Sequence, residues 1–158
     1  MLAGLPLQAT ADTQSPIDDP VLLTVTLTDD TQQEISVRRF TLEQLAALPS
    51  ASFSTSTIWT EGPQTFEGVW MSVLLRDLDV TDGTVLLQAF NDYSITTQAS
   101  DFVDGGALLA YRRNGVPMST RDNGPLWLVW NYDADLAFRT ETIYALSIWQ
   151  LDRITISR

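Results

Sequence analysis

Three short polar segments carry the residues whose types and spacing could do chemistry. Arg121 and Asp122 form a charged pair in the turn before the apolar strand "LWLVW", while "NDY" at 91–93 and "IWTEG" at 58–62 supply further polar and aromatic groups. An arginine donates hydrogen bonds or stacks on a ring, and a carboxylate accepts two hydrogen bonds from an amino/imino edge. These residue types suit a pocket for a flat, hydrogen-bonding heterocycle, but the charged pair taken alone is better explained as an ordinary surface turn.

The residue types that the chain lacks narrow its chemistry. It has no cysteine and no histidine, and all nine basic residues are arginines. This excludes Ser-His-Asp and Cys-His triads, a P-loop or Schiff-base lysine, and zinc sites built from imidazole or thiolate. Carboxylates, hydroxyls and oxygen-ligand metals remain available for catalysis. We therefore expect a binding module rather than an enzyme, and we assign no catalytic residue.

The size and net charge of the chain limit which kind of protein it is and which kinds of partner it can bind. The chain has 158 residues, 44% of them hydrophobic, and a net charge of −11, which fits one globular domain. So acidic a protein repels phosphate backbones and anionic lipid, so nucleic acid is not an expected partner. No stretch is long enough to span a bilayer.

The N-terminal residues allow two interpretations. "MLAGLPL" is apolar and Ala9-Thr10-Ala11 has the small-x-small pattern of a signal-peptidase site, but the charged region that opens a signal is missing. Residues 1–20 are therefore either a signal-peptide remnant or an N-terminal strap, and residues 21–158 form the domain. The first interpretation places the protein in the periplasm or outside the cell, and the second leaves the cytoplasm open.

Hydrophobic patterning predicts a single α+β domain with a mixed β-sheet and two or three short helices. "LTVTLT" and "EISVRRF" alternate on either side of Asp29-Asp30, which is typical of a hairpin. Thr41 with Gln44 predicts a capping box for a short helix. A second helix is predicted in "WMSVLLRDL", and a last strand from Trp149 onward.

Each candidate site residue also has an ordinary structural explanation. If the strand "SFSTSTIWT" continues, Thr57, Trp59 and Glu61 share one face. On that face, Trp59 is either a stacking platform for a ring or a residue packed at the rim of the core. Glu61 is then a second candidate carboxylate for the ring edge. Ordinary turn chemistry also explains two groups: the turn Asn91, Asp92 and Tyr93, and the turn that holds Ser119, Arg121 and Asp122. We assign no metal, because "DLDVTDG" lacks the spacing of a calcium loop.

Four motifs in order carry a resemblance to a known family. They are "FEGVWMSVLL" (66–75), "NDYS" (91–94), "LLAYRRNGVPMSTRDNGPLWLVW" (108–130) and "SIWQLDRI" (147–154). Together they resemble the oxidoreductase molybdopterin-binding domain, which has the sulfite-oxidase-type fold, in its small stand-alone form. The resemblance covers roughly residues 21–158 and implies that fold.

The absence of the family's metal-ligating cysteine points to one of its branches. The position at which the family has its molybdenum-ligating cysteine falls at or near Thr57 in this chain. A threonine hydroxyl is a poor replacement for a soft thiolate. Without that cysteine, the chain is similar to a branch that binds free pterins outside the cytoplasm beside membrane-bound enzymes that make and degrade cyclic di-GMP. It departs from this branch in two places: "LVWN" at 128–131 lacks the proline expected after the strand, and Leu146 stands where an arginine is expected.

The resemblance implies a pterin ligand without molybdenum, held by Trp59, Glu61, Asn91, Asp92, Tyr93, Ser119, Arg121 and Asp122. It also implies a sensor role toward a cyclic di-GMP cyclase or phosphodiesterase. Two alternatives stay open: a molybdopterin-dependent oxidoreductase with atypical ligation, and an interaction scaffold without a ligand.

Overall fold

The computed structural model describes residues 19–158, so the expectations for the strap and for Ala9-Thr10-Ala11 fall almost wholly outside the described residues. The described chain forms a single small α+β domain with mixed sheet connections and three short α-helices. This confirms the prediction of a single α+β domain with a few short helices. None of the helices in residues 19–158 has the length and apolar character needed to cross a membrane.

Ten strands and three α-helices follow one another between residues 19 and 158. The strands are β1 (Val21–Thr28), β2 (Glu34–Thr41), β3 (Ala51–Thr55), β4 (Gln64–Trp70), β5 (Thr84–Ala89), β6 (Ser94–Gln98), β7 (Ala107–Arg113), β8 (Val116–Pro117), β9 (Trp127–Trp130) and β10 (Leu151–Ser157). The helices are α1 (Leu42–Ala47), α2 (Met71–Asp77) and α3 (Glu141–Ala145).

The strands form two sheets that share one core. The first sheet has the order β2-β1-β10-β5-β6, in which β1 and β10 are parallel and the other pairs antiparallel. The second has the order β3-β4-β7-β8, with β9 also paired to β7. Alternation buries Leu23, Val25 and Leu27 of β1 on the core side, as the period of a half-buried strand requires.

Local signals place the first elements as predicted. The Thr41 hydroxyl accepts from the Gln44 amide at 3.2 Å, and the Gln44 side chain accepts from the Thr41 amide at 2.9 Å, so the capping box is confirmed. The turn at Asp29-Asp30 is also confirmed. There the Asp29 carboxylate accepts from the Thr31 and Gln33 amides, and β1 pairs with β2.

The strand predicted through residues 52–60 is wrong in its second half. β3 ends at Thr55, and the Thr57 hydroxyl accepts from the Trp59 amide at 3.1 Å and lies 2.7 Å from the Thr60 hydroxyl. A threonine that bonds to the backbone two residues on competes with strand pairing, so the chain turns here. The expected common face of Thr57, Trp59 and Glu61 is therefore absent. The last strand likewise begins at Leu151 rather than at Trp149.

Candidate functional site

A cavity of about 270 Å³ lies where the hairpin between β5 and β6 meets the segment from α3 to β10. Three parts of the chain supply its wall: Trp59 after β3, alternate residues 89, 91 and 93 of the hairpin, and five residues between 144 and 149. Four of the lining side chains are aromatic, namely Trp59, Tyr93, Tyr144 and Trp149. The cavity is therefore a concave aromatic site assembled by the fold from distant segments.

Trp59 lies at the centre of a cluster of aromatic rings. Its ring centroid is 5.6 Å from that of Trp149, 5.9 Å from Tyr144, 6.1 Å from Trp127 and 6.3 Å from Tyr132. All four contacts are edge-to-face, an arrangement that the ring quadrupoles favour. Trp59 is half-buried, so it packs against the core and also lines the cavity. This packing holds a preformed aromatic wall in place.

The turn that carries Trp59 is tied to the loop after β9. The Asp133 carboxylate accepts from the Ser56 amide at 2.7 Å, and the buried Thr55 hydroxyl accepts from the Asp133 amide at 3.1 Å. Arg139 lies 3.2 Å from the same carboxylate. The Ser56 amide is the main cause that holds the pKa of Asp133 below its ordinary value. Asp133 is therefore an anchor for this side of the cavity.

The hairpin between β5 and β6 separates its polar side chains. The Asn91 side-chain oxygen accepts from the Tyr93 amide at 3.2 Å, which forms a local turn, and Asp92 has a positive φ of 64°. Asn91 and Tyr93 line the cavity. The Asp92 carboxylate instead pairs with Arg153 at 3.1 Å. We predicted from the sequence that Asn91, Asp92 and Tyr93 share one site. Of these three, Asn91 and Tyr93 contribute to the cavity wall.

Hydroxyl groups at the cavity floor bond to one another. The buried Tyr132 hydroxyl donates to Ser147 at 2.5 Å, and Ser147 donates to the Ile143 carbonyl at 2.8 Å. Burial raises the pKa of Tyr132 to about 12, so this phenol stays neutral at ordinary pH. The Tyr93 hydroxyl lies 3.4 Å from the Ala145 carbonyl, a long contact that links the hairpin to the end of α3.

The turn with the charged pair bonds to itself. A 3-10 helix covers Thr120–Asp122, and the Ser119 hydroxyl donates to the Asp122 carboxylate at 2.8 Å. The Gln150 side chain donates to the Thr120 carbonyl at 2.7 Å, which places the turn beside the residue that follows Trp149. Arg121 and Asp122 are exposed and do not belong to the cavity wall.

The structure thus brings together three of the eight predicted site residues: Trp59, Asn91 and Tyr93. The other five lie outside the wall: Glu61, Asp92, Ser119, Arg121 and Asp122. Sequence reasoning left Trp149 uncommitted among the tryptophans and missed Tyr144 and Ser147. The signal that could have found them is the aromatic content of "YALSIW" just before the last strand.

The donor chemistry at Thr57 does not fit molybdenum. The Thr57 hydroxyl is already bonded to Thr60 and to the Trp59 amide, and it is a hard oxygen where the metal needs a soft thiolate. Within residues 19–158, no three His, Cys, Asp or Glu side chains converge on a point that could hold a metal ion. A planar organic ring, by contrast, fits a cavity with aromatic walls and a few polar groups.

Comparison with known family models and curated proteins gives no assignment, so any proposed function rests on the residues described above. No known family model matches the sequence, and no curated protein matches it either.

Proposed function

We propose that the chain binds a pterin-type heterocycle, an uncharged fused ring, and does not transform it. The observation that carries this proposal is the cavity with Trp59, Tyr93, Tyr144 and Trp149 in its wall. Ligand pockets commonly measure roughly 300–1,000 Å³. At about 270 Å³ the cavity suits one bicyclic ring rather than a larger cofactor.

The polar groups of the cavity support binding rather than catalysis. General acid–base chemistry needs a group whose pKa lies near the operating pH. Among the described residues that line the cavity, none carries a carboxylate or a guanidinium, and the nearby Tyr132 has its pKa raised to about 12. The hydroxyl, amide and indole groups that remain are suited to orienting a ring.

The resemblance extends the proposal to fold, location and partner. The domain then has the sulfite-oxidase-type fold and acts in the periplasm or outside the cell. It serves as a ligand-loaded sensor subunit of a membrane-bound cyclase or phosphodiesterase of cyclic di-GMP. Two of the four motifs, 91–94 and 147–154, contribute residues to the cavity wall, which supports this extension. The ligand can shift a partner-facing surface only by its differential affinity for the two states.

Calorimetric titration with a pterin tests the binding function. Ala145 lines the cavity at the end of α3, whereas Ala47 is exposed at the end of α1, so the two positions form a matched pair. We expect saturable binding by the wild type, loss of binding in Ala145→Trp because the indole fills the cavity, and full binding in Ala47→Trp. A wild type that does not bind, or an Ala145→Trp variant that binds normally, contradicts the proposal.

Analysis of the purified protein separates the alternatives. A heterocycle released on denaturation and identified by mass spectrometry supports the sensor. Stoichiometric molybdenum in elemental analysis indicates an oxidoreductase with atypical ligation. A protein that contains no small molecule and binds no pterin is an interaction scaffold.

A further inference from the structure

Several backbone carbonyls along the cavity wall already accept hydrogen bonds within the protein. Five lining carbonyl oxygens accept hydrogen bonds from groups of the chain itself. The donors are backbone amides, the Tyr93 hydroxyl and the Arg153 guanidinium. The carbonyls belong to Ala89, Tyr93, Tyr144, Ala145 and Ile148. These five carbonyls are therefore paired within the protein before a ligand arrives.

Hydrogen-bond donors along the same wall are open. The Asn91 side-chain oxygen takes the Tyr93 amide, which leaves the two N–H groups of the Asn91 amide nitrogen. The indoles of Trp59 and Trp149 can only donate. None of these three donor groups has a hydrogen-bond partner within residues 19–158. The cavity wall therefore offers open side-chain N–H donors, while none of the described residues that line it carries a carboxylate.

We infer that the cavity selects its ligand by a carbonyl edge rather than an amino edge, with the Asn91 amide as the group that discriminates. This inference rests on the proposed function and refines it. An amino group that faces N–H donors leaves both sides unpaired, which costs affinity, whereas a ring carbonyl pairs with them. A 2,4-dioxopteridine (lumazine) therefore binds more tightly than the corresponding 2-amino-4-oxopteridine (pterin).

The inference differs from what the sequence suggested about recognition. Glu61, Asp92 and Asp122 were the expected carboxylates for an amino edge, and the structure places all three outside the cavity wall. Asp92 is paired with Arg153, and Asp122 accepts from Ser119. No described carboxylate therefore lines the cavity to receive the amino group of a pterin.

Calorimetric titration of wild type and Asn91→Asp with lumazine and with pterin tests the inference. The aspartate keeps the oxygen that accepts from the Tyr93 amide, so the turn is preserved, but it replaces the open donor by an acceptor. We expect the wild type to prefer lumazine by about tenfold, as one mismatched hydrogen bond predicts. In Asn91→Asp the preference should move toward pterin by about tenfold or more.

The outcomes separate this inference from the function beneath it. If the wild type binds neither compound, the proposed function fails. If it binds pterin as tightly as lumazine or more tightly, the carbonyl-edge inference is overturned while the function stands. An unchanged preference in Asn91→Asp overturns the role of Asn91.

A second variant keeps the test independent of the hairpin. Trp149→Phe retains an aromatic ring in the cavity wall and removes one indole N–H. If Asn91→Asp does not fold, we expect Trp149→Phe to weaken lumazine several-fold and pterin less, as the loss of one donor predicts. Equal weakening of both compounds overturns the inference.

Discussion

Two regions that we predicted from the sequence to form one site have different surroundings in the structure. The turn that carries Trp59 meets rings from residues 127–149 and opens onto a cavity. The turn that holds Arg121 and Asp122 closes on itself, with Ser119 bonded to the carboxylate and both charged side chains exposed. One region is assembled from distant parts of the chain, and in the other the Asp122 carboxylate is bonded by a side chain three residues away.

The difference follows from the range of the forces involved. Apolar burial is non-directional and draws together rings that are far apart in sequence, so Trp59 packs beside Trp149. Short polar side chains bond most readily to groups a few residues away, so Asp122 bonds to Ser119. In this molecule an aromatic residue in a polar loop marks the cavity better than a charged pair in a turn.

Replacing Trp59 by alanine is expected to have the largest effect of any single change. It removes the central ring of the aromatic cluster and one wall of the cavity. We expect a loss of about 3 kcal/mol in the free energy of unfolding and loss of ligand binding. Denaturant unfolding and calorimetric titration measure the two effects.

Trp59→Phe is the control, because it retains an aromatic ring at the same position. It should keep most of the stability and a measurable part of the affinity. If Trp59→Ala unfolds like the wild type and still binds, then the cluster around Trp59 is not what forms the site.

Asp133→Asn is expected to have an intermediate effect, and one that depends on pH. The lowered pKa of Asp133 in the folded state means that its contribution is present above the unfolded value of about 3.9 and is lost as pH falls through the folded value. The variant should therefore be less stable than wild type at neutral pH, with the difference shrinking as acid protonates Asp133 in the folded state. It should also bind ligand more weakly, because Asp133 anchors the turn before Trp59.

Asp29→Asn provides the matched control for that change. The pKa of Asp29 is also lowered, chiefly by the Thr31 hydroxyl, but Asp29 lies in the turn between β1 and β2 and not in the cavity wall. Its substitution should alter the acid dependence of stability and leave affinity unchanged. Equal loss of affinity in both variants contradicts the anchoring role of Asp133.

The fold was predictable where the determining interactions are local. Thr41 and Gln44 lie within one turn of each other, and Asp29 lies beside the residues that it caps, so pattern and turn chemistry identify both. The end of β3 was not predictable from alternation, because "SFSTSTIWT" alternates through Thr57. The strand ends there because the Thr57 hydroxyl accepts a hydrogen bond from the Trp59 amide and so competes with strand pairing.

The candidate site was predictable only in part for the opposite reason. Trp59, Asn91 and Tyr93, three of the predicted site residues, line one cavity, and Tyr144 and Trp149 join them through long-range packing. The aromatic content of "YALSIW" marks its rings as candidates, but it does not indicate that they meet Trp59, some 85–90 residues earlier in the chain. Asp92 shows the converse, because its partner Arg153 comes from the last strand.

Arg121→Ala is expected to have the smallest effect, and it decides the comparison. Arg121 is exposed, makes no ion pair within residues 19–158 and lies outside the cavity wall. Surface substitutions of this kind change the free energy of unfolding by at most about 0.5 kcal/mol, and we expect ligand affinity to change by no more than about twofold. The sequence alone predicts the reverse, since it gives Arg121 a direct role in holding the ring. If titration shows that Arg121→Ala abolishes binding while the unfolding midpoint is unchanged, the ligand must reach the Ser119–Asp122 turn, and the charged pair rather than the aromatic cavity defines the site.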